Sequence, residues 1–135
     1  MEVTPLMMAR STLRAYVAMQ FPRYVFGEHH HVICDALERV ERGECKRLMI
    51  FMPPRHGKSM LVSEYFPAWF LGRQPSKKII AASYNAELAQ DFGRKVRNQL
   101  RDVLWQAVFP GSHLDNNSAA ADPINLTAGG SYFAV

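Results

Sequence analysis

One stretch limits the folding options of this chain more than any other. The apolar run Leu48-Met-Ile-Phe51 passes directly into Met52-Pro-Pro-Arg-His-Gly-Lys-Ser59, and a helical pattern continues from Lys58 to about Leu71, with a possible bend at Pro67. A short unbroken apolar run reads as a buried strand of a parallel sheet, because both of its faces must be covered. Gly-Lys-Ser between such a strand and a helix is the end of the phosphate-cradling pattern Gly, four residues, Gly-Lys, then Ser or Thr. The match is partial, since Met52 stands where the first glycine is expected. A triphosphate needs several backbone N–H groups aimed at its oxygens, together with the positive end of a helix. Gly57 lets the backbone approach the phosphates, Lys58 reaches the β and γ phosphates, and the Ser59 hydroxyl is placed to ligate Mg²⁺. The expected nucleotide-binding residues are Pro54, Arg55, His56, Gly57, Lys58, Ser59 and Met60, with ATP and Mg²⁺ as cofactors. Arg55 is open to two readings: stabilising charge on the γ-phosphate together with Lys58, or a ground-state phosphate contact or salt bridge. His56 reads as structural, since phosphoryl transfer depends on positioning and charge more than on acid–base work.

The surrounding pattern is that of an α/β protein. Thr4-Pro5 starts a helix to about Met19, ended by Phe21-Pro22. A second helix spans Glu28 to Arg42, with Ile33, Leu37 and Val40 on one side and Gly43 placed to end it. Ile79-Ile-Ala-Ala-Ser83 reads as a second buried strand. A third helix, from about Asn85 to Val103, carries Leu88, Phe92, Val96 and Leu100 as a stripe facing the sheet. Strand, helix, strand, helix is βαβ grammar. Residues 113–123 read as a polar loop, and Gly129-Gly130, flanked by Leu126-Thr and Tyr132-Phe-Ala-Val135, suggests a hairpin.

Sixteen Lys plus Arg against twelve Asp plus Glu give a net charge of +4, which permits a polyanionic partner without demanding one. The densest basic patch is on the third helix. Arg94, Arg97 and Arg101 recur at three- and four-residue spacing, with Lys95 beside them. That arrangement suits gripping DNA phosphates without reading bases, and equally a solvated face offset by Glu87, Asp91 and Asp102. Cys34 and Cys45 lack metal-ligand or redox spacing and suit a reducing cytosol. No apolar run approaches the roughly 20 residues that span a bilayer.

Arg47-Leu-Met-Ile-Phe-Met-Pro-Pro-Arg-His-Gly-Lys-Ser59 resembles the phosphate loop of the large terminase subunit of tailed phages. Further blocks agree in order: His29-His30 ahead of the helix ending at Gly43, Phe66-Pro-Ala-Trp69, Leu71-Gly-Arg73, Ala82-Ser-Tyr-Asn85, Phe92-Gly-Arg94, Val96-Arg97 and Gly129-Gly-Ser-Tyr-Phe-Ala-Val135. The resemblance implies a P-loop NTPase fold of the RecA-like (ASCE) kind, a parallel sheet flanked by helices. It also implies an ATPase motor that drives viral DNA into a preformed capsid in the cytoplasm of a bacterial host. Double-stranded DNA, a portal protein, a small terminase subunit and a homo-oligomeric ring are the partners it implies. By the same analogy His29 and His30 lie on the adenine side, although His30 with Ile33 and Leu37 also reads as a core-edge histidine.

The chain divides on this reading into a helical segment, 1–45, and the N-terminal part of the ATPase domain, 46–135. After Ser59 no apolar strand ends in the two acids that such an ATPase uses to hold Mg²⁺ and activate water, and Asp115 and Asp122 fall in the polar loop. The sequence therefore reads as a truncated motor that does not hydrolyse ATP alone. The alternatives are a helicase-like nucleic-acid ATPase and a non-enzymatic nucleotide-binding remnant.

Overall fold

The computed structural model describes residues 3–52, 59–115 and 123–135. Thr4 caps the first helix, its hydroxyl accepting from Met7 N–H at 3.2 Å. The expected single helix is two, α1 (Pro5–Ser11) and α2 (Leu13–Gln20). The break is Thr12, which is extended (φ −129°, ψ 136°) and whose hydroxyl accepts from Ala15 N–H, so it caps the second helix. A threonine offers the backbone this local alternative to helix continuation. Helix α3 (Glu28–Glu41) follows expectation: Ile33 and Leu37 are buried, and Gly43 ends it at φ 81° with Glu44 N–H returning to Arg39 O.

The sequence reading of Leu48–Phe51 as a buried strand is corrected. These residues belong to no strand of the sheet. Leu48 and Ile50 lean half-buried on the core, whereas Met49 and Phe51 are 77% and 83% exposed. The period of two is that of a strand, but only one face has found cover.

From Ser59 onward the chain is helical. The first part of this run, Met60–Tyr65, is π-helical, with Phe66 N–H bonded to Leu61 O, and it continues as α4 (Phe66–Arg73). Pro67 lies at this junction, where its missing N–H falls in the first turn of α4. Strand β1 (Lys78–Ala81) follows, then α5 (Ala86–Arg101), capped by the Asn85 side chain accepting from Leu88 N–H. The third helix thus stops two residues before Val103. A short helix that the sequence reading did not anticipate, α6 (Val103–Val108), restarts on the Asp102 cap. Strands β2 (Ile124–Asn125) and β3 (Ser131–Ala134) form the expected hairpin.

The sheet order is β1-β3-β2, with β1 parallel to β3 and β2 antiparallel to it, so the sheet is mixed and not wholly parallel. Gly93 of α5 packs on Tyr132 and Ala134 of β3, which places that helix on one face of the sheet. On β1 the expected burial is only partial, and Ile80 is 76% exposed. The largest buried side chains tie the helices together. Trp69 donates its indole N–H to Ala9 O at 3.1 Å and Trp105 donates to Ala68 O at 2.9 Å. Residues from 1–45 and from 46–135 therefore share one core.

Two glycines make opposite predictions. A Cβ at Gly130 meets the backbone oxygens of Pro75 and Lys77, the latter at 2.6 Å, at the point where Gly130 N–H bonds Pro75 O. Gly130→Ala is expected to lower unfolding free energy by about 2 kcal/mol or more, because a backbone bond must shift. At Gly93 a Cβ makes ordinary contacts at 3.5 Å, so Gly93→Ala is expected to be neutral or to stabilise by up to ~1 kcal/mol through helix propensity. Urea titration of both variants checks this.

Burial, with Glu38 and Asp35 adding to it, pushes the Cys34 thiol from an ordinary 9.0 up to about 12. The folded state favours the neutral thiol. The resulting stability is complete below pH 9 and is lost as pH rises towards 12. Denaturation midpoints are expected to fall across that window and to fall less in Cys34→Ala, relative to its own midpoint at pH 8.

Candidate functional site

Ser59 is the first described residue after 52, and it lies in the helical run beside the sequence's strongest functional signal. It is exposed, takes right-handed helical angles (φ −65°, ψ −36°), and its side chain makes no capping bond to the helix. Met60 is half-buried and begins the π turn, a rare geometry that recurs beside functional sites. Pro54, Arg55, His56, Gly57 and Lys58 lie outside the described residues. Of the expected nucleotide-binding residues, Ser59 and Met60 are the ones that the structure describes.

Five residues into this run lies an acid the sequence reading passed over. Glu64 is buried and receives the Lys95 ammonium at 2.9 Å; Lys95 also reaches Asp91 at 3.3 Å, and Arg94 pairs with Asp91 at 3.1 Å. The hydrogen bond to Glu64 raises the Lys95 pKa, with a smaller opposing effect of burial. The Glu64 backbone oxygen accepts from Gln99 Nε2 at 2.7 Å, and Gln99 Oε1 accepts the Tyr16 hydroxyl at 2.7 Å. The helical run from Ser59 onward is thus clamped to α5 and α2 by polar bonds. A signal was present: Leu61, Glu64 and Ala68 share one helical face, and Glu64 is the charged member of it.

This network alters the basic patch. Arg94 and Lys95 are exposed yet engaged by acids on or beside their own helix, while Arg101 is exposed and Arg97 is half-buried. Arg97 Nε is buried without a hydrogen-bond partner. Of the four, Arg97 and Arg101 are the ones without an ion pair among the described residues.

The histidines separate in the same way. His30 is buried and its Nδ1 accepts from Gly27 N–H at 2.8 Å, so it helps to start α3; its ring packs edge-on against Tyr24 at 5.1 Å. This is the core-edge role. His29 is exposed, its ring 3.8 Å from that of His30. His31 stacks on Phe26 and accepts from Arg14 at 3.0 Å.

Among the described residues no cluster of three metal-ligating side chains forms, and no helix is long and apolar enough to cross a membrane. Comparison of the chain with protein-family models, with curated proteins and with solved structures gives no match.

The Lys95–Glu64 pair predicts a measurable coupling. In a double-mutant cycle with Lys95→Ala and Glu64→Gln, the interaction energy is expected to be about 1 kcal/mol, modest because Lys95 is half exposed. Additive effects would show that the pair does not clamp the two helices.

Proposed function

We propose that this chain binds a magnesium–nucleoside triphosphate at Gly57-Lys58-Ser59, where the helical run that includes Ser59 follows, as the ATP-binding part of a viral DNA-packaging motor of the large terminase kind. The observation that carries the reading is the conjunction of Gly57-Lys58-Ser59 in the sequence with a Ser59 that is exposed, helical and without a side-chain capping bond. A serine so placed fits a Mg²⁺ ligand, and the helix start fits phosphate oxygens. Lys58 would supply the ammonium for the β and γ phosphates, and Arg55 would meet charge on the γ-phosphate. Bound Mg²⁺ would neutralise the phosphate oxygens. The clamp through Glu64 and Gln99 supports the reading physically, because it fixes the axis of the helix on which the phosphates would rest.

Duplex DNA is the proposed polyanionic partner, met by phosphate contacts from Arg97 and Arg101, with Arg94 and Lys95 contributing once exchanged from their acids. A portal protein, a small terminase subunit, assembly as a homo-oligomeric ring and work in a bacterial host cytoplasm follow from the same resemblance. No paired acids follow Ser59 in this sequence at the end of an apolar strand, so hydrolysis by these 135 residues is expected to be negligible even where binding is retained.

Calorimetric titration with Mg·ATP tests the reading. Saturable binding that Lys58→Ala weakens by tenfold or more is the expected result, roughly the 1.4 kcal/mol or more that a charge-assisted hydrogen bond supplies. A folded chain that takes up no nucleotide would overturn it. For DNA, Arg97→Ala with Arg101→Ala is expected to weaken binding and to reduce the salt slope by about 2, one unit for each phosphate no longer neutralised. Unchanged affinity and slope would remove DNA from the proposal.

A further inference from the structure

Arg10 and Arg73 stand 63 residues apart in the sequence and side by side in the fold. Arg10 lies in the last turn of α1 and Arg73 in the last turn of α4. Arg73 donates through a terminal nitrogen to Arg10 O at 2.8 Å and through Nε to Glu41 at 2.9 Å. Arg10 donates through Nε to Val108 O, at the end of α6, at 2.8 Å. A guanidinium carries five N–H donors. These bonds use one of them on Arg10 and two on Arg73, and neither side chain makes another hydrogen bond with a described residue. Glu41 answers the charge of Arg73, whereas Arg10 has no ion-pair partner among the described residues.

Both arginines line a cavity of about 410 Å³ that also takes in the turn after α6. Pro75, Phe109 and Pro110 give it an apolar wall, and no aspartate or glutamate lines it. The wall is held in place. The Phe109 ring fills the space beside Gly72 where a larger residue would need room, and the buried Ser112 hydroxyl donates to Gly72 O at 2.6 Å. Gly111, also on the lining, has an N–H that donates to no described residue.

Donors without acceptors, an excess of positive charge and no lining acid specify an oxyanion. A flat carboxylate is satisfied by one guanidinium fork, whereas two forks from different helices suit a tetrahedral group that offers three oxygens. We propose that this cavity binds a phosphate group, held by the N–H groups of Arg10 and Arg73 that the protein leaves unused, with Gly111 N–H beside them. The bonds to Val108 O, Glu41 and Arg10 O fix both side chains before any ligand arrives, so little rotamer freedom remains to be lost on binding. The volume is that of a small-molecule site, for which roughly 300–1,000 Å³ is usual, and the apolar wall leaves room for what the phosphate is attached to. The inference is independent of the nucleotide reading, since the cavity shares no residue with positions 54–60.

Proton–nitrogen correlation spectra of the full chain, titrated with inorganic phosphate at neutral pH and constant ionic strength, test it. Saturable shifts are expected at millimolar phosphate for the Gly72, Arg73, Gly111 and Ser112 amides and for Arg10 Nε–H. Arg10→Gln is expected to weaken binding about tenfold, the scale of one charge-assisted hydrogen bond. Arg10→Lys should restore only part of it, because an ammonium has no fork. Pro110→Glu places a carboxylate on the lining at an exposed position and should abolish the shifts while both arginines remain. That variant decides the matter even where Arg10→Gln does not fold. Absence of shifts in a folded chain, equal shifts with acetate, or shifts that Arg10→Gln and Pro110→Glu leave unchanged would overturn the proposal. A short DNA duplex separates two sources of the phosphate. Competition with inorganic phosphate at these amides assigns the site to nucleic-acid backbone, and phosphate binding without such competition assigns it to a small phosphate compound.

Discussion

Trp69 stands where the helices of this protein meet. Its indole N–H is spent on Ala9 O, its ring carries the Arg73 guanidinium at 5.2 Å, and Arg73 in turn bonds Glu41 and Arg10 O. One residue earlier, Ala68 O accepts the indole of Trp105. A buried indole needs an acceptor, so each tryptophan fixes both a packing surface and an orientation. Together they lock α4 against α1, α3 and α6. Because α4 continues the helical run from Ser59, the same contacts fix the direction of that run.

The second tie on this run is electrostatic. Lys95 holds the buried Glu64 and also Asp91, and Asp91 holds Arg94. Charges that look from the sequence like a free basic face are in part internal counterions. The four basic side chains of α5 therefore overstate what it offers to a polyanion, and those without an ion pair among the described residues are Arg97 and Arg101. The buried, unpartnered Nε of Arg97 shows how closely that side chain is already packed.

Most helices were legible because their signals are local: the Thr4 and Asn85 caps, Gly43 at the end of α3, and the four-residue spacing on α5. The β2–β3 hairpin was legible from its paired glycines, with Gly129 at φ 102°. What was missed depends on partners. The apolar content of Leu48–Phe51 says that cover is wanted, but not which strand provides it, and among the described residues none does. Thr12 breaks a helix that periodicity alone would continue, and Asp102 starts one that periodicity alone would not. The π turn and the Glu64 clamp require knowing what lies across from the helix. Of the helix expected from Lys58, the part from Ser59 onward is helical, while its expected start and residues 54–58 lie outside the described residues.

The central claim is that polyphosphate seats on the mouth of the helical run at Ser59. Amide hydrogen exchange with and without Mg·ATP addresses it at residue resolution. The account requires slowed exchange concentrated in the first turn after Ser59 and in the adjoining residues 48–52, with α3 and the β2–β3 hairpin unaffected. Protection confined to another part of the molecule, or none in a chain whose core amides show it to be folded, would contradict it.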